Sequence, residues 1–185
     1  MVIAGIDEVG RGCWAGPVVA GAVVLADAIP GLKDSKLLSK KQRERLAAQV
    51  EVEALAVGIG WAQAVEVDEL GMTEAVRLAM QRALELIIIP YGQIIIDGSL
   101  NFLAENPTAV AIVKADQTVP AVSAASIVAK VARDKYMAEA CVKYPGYGFD
   151  KHVGYGTALH LEMLKLHGVS ELHRKSFKPI RELAA

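Results

Sequence analysis

Three short apolar runs in this chain lead into carboxylates: residues 2–6 run into Asp7-Glu8, residues 94–96 into Asp97-Gly98, and residues 109–113 are followed by Asp116. Runs this short and this rich in β-branched residues read as buried strands. In an open α/β sheet, ligands gather outside the carboxyl ends of the strands. Four carboxylates brought to one rim cannot all stay ionised without cations. Hard divalent ions such as Mg²⁺ or Mn²⁺ take oxygen ligands, and two of them roughly 4 Å apart activate a water and stabilise the leaving oxygen of a phosphodiester. An Asp closing a strand is often only a turn former, as Asp97-Gly98 alone would be. Coincidence at like topological positions is what favours a site.

The remaining pattern sets the fold class. Residues 18–25 and 57–63 read as two more buried strands, making five. Residues 40–52 carry charged and apolar residues at helical spacing, with Ser39 as N-cap. Residues 66–86 read as one amphipathic helix, Val76, Met80 and Leu84 on a face widened by Ala79 and Ala83, broken at Pro90-Tyr91-Gly92. Pro120 opens a long helix to about residue 142, stopped near Pro145-Gly146, and residues 157–167 form another with Gly168 as C-cap. Three early strands, then strands alternating with helices, predict an α/β fold with a mixed sheet and helices packed on it. With 185 residues, 53% of them hydrophobic, and no repeat or interior linker, a single domain over 1–185 is expected.

The net charge of −1 announces no nucleic-acid binder, but the charge is unevenly spread. Residues 33–45 hold six Lys/Arg against two acids, and residues 151–185 six against three, with all four histidines. Residues 46–110 hold two Arg against nine acids. Such a distribution lets one surface meet phosphates while another repels them. Cys13 and Cys141 lack CxxC spacing, which excludes a disulfide scaffold or a zinc site and suits a reducing cytoplasm. No apolar run approaches a membrane span and no leader pattern opens the chain, so a soluble cytoplasmic protein with no membrane partner is expected.

Gly10-x-Gly12-x-x-x-Gly16 superficially resembles a dinucleotide fingerprint, but Pro17 and a β-branched run follow where that motif requires a helix. The Asp-containing phosphate loop of actin-like ATPases needs two related domains, which this length cannot supply. What remains is Arg11 flanked by glycines, beside the carboxylates. Glycines let backbone approach a sugar–phosphate closely, and backbone amides can bond a 2′-hydroxyl, the group that distinguishes RNA from DNA. Asp134 shares a helix stripe with Ile127 and Val131, so its charge needs a partner, and Lys130 at i−4 is the simplest one.

Taken together, these residues resemble the ribonuclease HII family, the type 2 RNases H. The match runs through Gly5-Ile6-Asp7-Glu8-Val9-Gly10-Arg11-Gly12, Asp34-Ser35-Lys36, Ile94-Ile95-Ile96-Asp97-Gly98 and Lys114-Ala115-Asp116. It continues through the run from Ser123 to Asp134, Lys151-His152-x-Gly154-Tyr155-Gly156-Thr157 and His173-Arg174-x-Ser176-Phe177. The resemblance implies an RNase H-like fold with a five-stranded mixed β-sheet flanked by helices, and a helical C-terminal part from about residue 145 that binds substrate. It implies that Asp7, Glu8, Asp97 and Asp116 are catalytic and hold Mg²⁺ or Mn²⁺, two ions during catalysis, with Asp134 supporting them. It also implies that Gly10, Arg11 and Gly12 read the 2′-hydroxyl at a ribonucleotide–deoxyribonucleotide junction, that Ser35 and Lys36 lie near backbone phosphates, and that Tyr155 stacks on the adjoining deoxyribose.

Cys13-Trp14 departs from the smaller or aliphatic pair usual in the family, which is expected to alter packing beside the substrate rather than chemistry. With its first strand at residues 2–6, the chain is expected to lack the N-terminal substrate-binding domain of ribonuclease HIII relatives, and Tyr155 also favours HII over HIII. The ending Arg181-Glu182-Leu183-Ala184-Ala185 shows no sliding-clamp motif, and a monomer is expected. The implied reaction is hydrolysis on the 5′ side of a ribonucleotide, in RNA–DNA hybrids and at single ribonucleotides in duplex DNA, leaving 3′-hydroxyl and 5′-phosphate ends. Two alternatives stand beside it: ribonuclease HIII-like activity limited to longer RNA tracts, and a non-catalytic hybrid-binding module. The second is disfavoured because bare binding gains nothing from acids facing phosphates.

Overall fold

In the computed structural model, residues 2–32 and 38–184 are described. Ser35 and Lys36 lie outside the described residues. Five strands, β1 (Ile3–Val9), β2 (Val18–Val24), β3 (Ala56–Ala62), β4 (Gln93–Asp97) and β5 (Ala109–Ile112), form one sheet in the order β3-β2-β1-β4-β5. The β1–β2 and β2–β3 pairs are antiparallel and the β1–β4 and β4–β5 pairs are parallel, so the sheet is mixed, as expected.

Alternation along the strands divides the core. Ala4, Ile6, Ala20, Ala22, Ile94 and Ile96 face Val76, Ala79 and Met80 of α3 (Met72–Glu85) on one side. On the other side Val23 packs with Leu46 and Val50 of α1 (Lys40–Glu53) and with Ala124, Ile127 and Val128 of α5 (Pro120–Lys143). Ser39 caps α1 in a reciprocal box with Gln42. A third cluster joins the end of α5 to the C-terminal helices α6 (Phe149–His152), α7 (Ala158–His167) and α8 (Lys178–Ala184), through Met137, Phe149, Leu164 and Ile180.

The helix expected over 66–86 is two helices, α2 (Ala64–Leu70) and α3, separated at Gly71 with φ 79°. The amphipathic period runs through the break, but only glycine takes that backbone conformation cheaply. The helix ends at Glu85, before Pro90. The short helices α4 (Ala115–Thr118), α6 and α8 are additions that periodicity over a single turn or two cannot reveal. β1 also runs three residues further than expected, to Val9, because its antiparallel partner β2 continues to pair as far as Val9↔Val19. Among the described residues no helix is long and apolar enough to cross a membrane.

Close approach of α5 to the sheet places a hydroxyl beside the first carboxylate. A Cβ at Gly5 would lie 2.3 Å from the Ala121 carbonyl carbon, and one at Gly21 2.4 Å from the Ala125 oxygen. Only glycine leaves room there, so the small-residue face of α5 lies directly on β1 and β2. Gly21 is the register partner of Asp7, and one residue past Ala125 the Ser126 hydroxyl hydrogen-bonds the Asp7 carboxyl.

Candidate active site at the carboxyl ends of the central strands

Asp7 and Glu8 lie inside β1 rather than past its end, yet beyond the last parallel pair, Ile6↔Ile96, where β1 and β4 diverge. Successive strand residues face opposite sides, so Asp7 turns toward α5 and Glu8 toward Arg11. Asp97 closes β4. Asp116 is not at a strand end: it lies in α4, four residues beyond β5, buried, with its amide directed at Asp97 Oδ1 at 3.4 Å. Ser123 of α5 donates its hydroxyl to the Asp116 carbonyl and fixes that turn.

Asp7, Glu8 and Asp97 form one wall of a cavity of about 270 Å³. Gly10, Arg11 and Gly12 form a second wall, and Arg43, Lys130 and Tyr155 complete it. Asp116 stands behind Asp97 and is not part of the wall. A larger cavity of about 730 Å³ lies between α3 and residues 102–107, lined by Leu84, Tyr91 and Phe102 among others; its acids, Glu85 and Glu105, are at its exposed rim, where Arg77 pairs with Glu105, and none of the carboxylates at the ends of β1 and β4 reaches it.

The electrostatics of the wall are those of crowded acids. The Asp7 carboxyl is pushed up to about 8, by burial first and then by the charges of Glu8 and Asp97, against the lowering bond from Ser126. Burial also raises Glu8, while the Arg11 guanidinium, 3.1 Å from Oε1, opposes that shift. Glu8 Oε2 is buried and, among the described residues, has no hydrogen-bond partner. An unsatisfied buried carboxylate oxygen beside two further carboxylates is the donor set a hard cation takes. Among the described residues, no three acidic, histidine or cysteine side chains already converge around one point.

Lys130 donates to Asp134 at 2.7 Å, and Asp134 lines a neighbouring cavity rather than this one. The described basic groups at the site are therefore Arg11, Arg43 and Lys130. Cys13 pairs with Tyr155 in an isolated bridge, and Trp14 packs its ring on His160, 5.6 Å between centroids. Tyr155 itself is 40% exposed, its ring open to the cavity.

Sequence reasoning missed the groups that hold this assembly. Arg133 and Arg174, both fully buried, donate to main-chain carbonyls of residues 11–17, and Arg133 also to Val153. A histidine chain holds Tyr155. The Ser170 amide donates to His173 Nδ1 (3.0 Å), so His173 Nε2 carries the proton it gives to His160 Nε2 (3.0 Å). His160 Nδ1–H then donates to the Tyr155 carbonyl at 2.9 Å. His152, stacked on His160 at 4.2 Å, accepts from the Gly154 amide and donates to the Tyr147 carbonyl. Four histidines in one segment were the available signal, and composition alone does not distinguish a relay from surface residues.

Burial holds His160 and His173 at about 4, below the usual 6.5. Between these values the unfolded chain binds more protons than the folded one, so this stability is fully present above pH 6.5 and lost as pH falls toward 4. Asp7 and Glu8, raised in the folded state, titrate with the opposite sign. In an Asp7→Asn, Glu8→Gln background, urea unfolding at pH 4.5 should therefore show a loss of on the order of 3 kcal/mol relative to pH 6.5. Equal stabilities at the two pH values would remove the neutral pair.

A mixed five-stranded sheet whose central strands end in carboxylates, facing a cavity rimmed with cations and an open glycine loop, defines a hydrolase of the RNase H-like class. The family model for ribonuclease HII matches residues 4–180. A ribonuclease HII of Marinomonas sp. is 48% identical, over 98% of this chain and 92% of that protein. The structure of the PCNA:RNase HII complex from Archaeoglobus fulgidus superposes with a TM-score of 0.82 at 27% identity, over 96% of each chain. That of Bst-RNase HIII in complex with Mn²⁺ superposes at 0.77, with 21% identity over 99% of this chain and 69% of that one, a likeness of fold alone. The chain belongs to the ribonuclease HII family and is a metal-dependent nuclease acting on RNA.

Proposed function

We propose that this enzyme hydrolyses the phosphodiester on the 5′ side of a ribonucleotide, in RNA–DNA hybrids and at single ribonucleotides within duplex DNA, leaving 3′-hydroxyl and 5′-phosphate ends. One observation carries the reading: the carboxylates Asp7, Glu8 and Asp97 share a cavity with the Gly10-Arg11-Gly12 loop and Tyr155, so cutting and sugar-reading groups address the same nucleotide. Asp7, Glu8, Asp97 and Asp116 are the residues that would hold Mg²⁺ or Mn²⁺; the unpartnered Glu8 Oε2 and the raised Asp7 carboxyl support that fit. Two such ions supply an activated water and charge stabilisation at the leaving oxygen.

The chain's own groups position the substrate. Arg43 and Lys130 meet backbone phosphates, and Asp134 holds the Lys130 ammonium in place. The likeness to the family assigns Ser35 and Lys36 to backbone phosphates as well. Gly12 offers the substrate an unobstructed backbone, since a Cβ there would find no atom within 4 Å. The half-open Tyr155 ring stacks on the deoxyribose next to the cut.

The decisive measurement is cleavage of a duplex holding one ribonucleotide, with Mg²⁺ and with Mn²⁺. Incision at its 5′ side is expected. Cutting confined to long hybrids would replace this reading with the longer-tract one, and no metal-stimulated nicking at all would leave only binding. Tyr155→Ala should lower kcat/KM on the single-ribonucleotide duplex by about tenfold, the scale of one lost aromatic contact. Its effect on long hybrids should be smaller, and equal losses on both would discard the stacking role.

A further inference from the structure

Residues 10–17 are held from beneath by two guanidinium groups. Arg133 donates from Nε to the Pro17 carbonyl (2.9 Å), from Nη2 to Ala15 (3.0 Å) and from Nη1 to Val153 (2.8 Å). Arg174 donates from Nε to Gly16 (2.9 Å) and from Nη1 to Arg11 (3.0 Å). Both side chains are fully buried, and among the described residues neither forms an ion pair. Burying two cations without counter-charges is costly. What it secures is the direction of the loop's peptide groups.

In a planar trans peptide the C=O and N–H point opposite ways. The Arg11 carbonyl points down to Arg174, so the amide of the same peptide, Gly12 N–H, points up to the cavity. Among the described residues that amide donates to no protein group, and the space over Gly12 is open. The neighbouring amides of Cys13, Trp14, Ala15 and Gly16 are all engaged, with Gly10, Gly154, Gly154 and Leu172. Among the described residues Gly12 N–H is thus a fixed, unspent donor on the wall of the cavity that Asp7, Glu8 and Asp97 also line.

We propose that Arg174 is a positioning residue for sugar discrimination: by holding the Arg11 carbonyl, it presents the Gly12 amide to the ribonucleotide 2′-hydroxyl. The inference rests on the proposed sugar-reading role of the Gly10–Gly12 loop. Arg133 grips the same loop but not that peptide, which makes it a matched control. Lysine at either position keeps the charge but cannot span two carbonyls with fixed geometry.

The test uses the full chain in an Asp7→Asn background, to bind without cutting, with Mg²⁺ present. Its readout is the ratio of Kd values for an all-DNA duplex and the same duplex holding one ribonucleotide. Arg174→Lys should reduce that preference by about fivefold, the worth of one hydrogen bond. The Kd for the all-DNA duplex should stay within about twofold. Arg133→Lys should lower thermal stability and leave the preference intact. A preference retained in Arg174→Lys, or erased equally by Arg133→Lys, overturns the positioning role.

Gly12→Ala separates that failure from failure of the underlying reading. If it keeps the parent's full preference, or the parent shows none, the loop does not read the hydroxyl and the proposal falls with it. Should Arg174→Lys not fold, Asp68→Ala serves instead. Asp68 accepts from the amides of Lys175 and Ser176, both at 2.8 Å, and so anchors the segment carrying Arg174. The same loss of preference is expected there, and its absence overturns the proposal.

Discussion

Asp7→Asn is expected to reduce cleavage by at least about a thousandfold, or roughly 4 kcal/mol at the barrier, while the fold survives. The substitution keeps shape and removes the charge on which the proposed cation site depends. Its effect on stability has a definite sign. The Asp7 carboxyl is raised to about 8 in the folded protein, so the folded state binds more protons than the unfolded one between about 4 and 8. Stability is therefore lost as pH rises through that window, and Asn escapes the loss. Without metal at pH 8 the variant should melt no lower than wild type. Added Mg²⁺ should raise the wild-type Tm, because it binds the folded state alone, and raise that of the variant far less. Full cleavage by Asp7→Asn would sink the metal-site reading.

The second large effect separates two glycines that look equivalent in the sequence. Gly10 sits at φ 94°, and a Cβ there would lie 2.3 Å from Arg133 Nε. Alanine at this position strains the backbone and displaces the guanidinium from the Pro17, Ala15 and Val153 carbonyls. A destabilisation of about 3 kcal/mol or more is expected. Gly12 has an ordinary φ and open space around it, so Gly12→Ala should keep the wild-type Tm. Its kcat/KM should nonetheless fall by about a hundredfold, because a methyl group then stands where the sugar must approach. Thermal melts paired with a nicking assay read both effects. A stable Gly10→Ala, or an undiminished Gly12→Ala, would contradict the division of roles between them.

These two glycines show how far local pattern carries. Gly10-Arg11-Gly12 beside Asp7-Glu8 pointed to a backbone that approaches a sugar, yet nothing in the spacing says which glycine serves the fold and which the substrate. The five strands were legible because β-branched runs and alternation are local signals. Ser39 and Gly168 were legible as caps for the same reason. The break at Gly71 was not, since apolar period continued across it. Asp116 was expected at or just past a strand end; it follows β5 by four residues, but on a one-turn helix that the spacing did not reveal, tied to Asp97 by its amide.

Residue type and period were enough to establish an α/β sheet, the ends of β1 and β4 as the place where acids collect, and the glycine loop next to them. All three are consequences of interactions a few residues apart. The convergence of the site came from packing: α5 resting on Gly5 and Gly21, Arg174 reaching Arg11 across 163 positions, and Arg133 reaching Pro17 across 116. Ser170, His173 and His160 likewise hold Tyr155 through rings whose tautomers are set by backbone partners. Such contacts leave no period in the chain. Their energy depends on burial, which exists only once the helices have closed on the sheet.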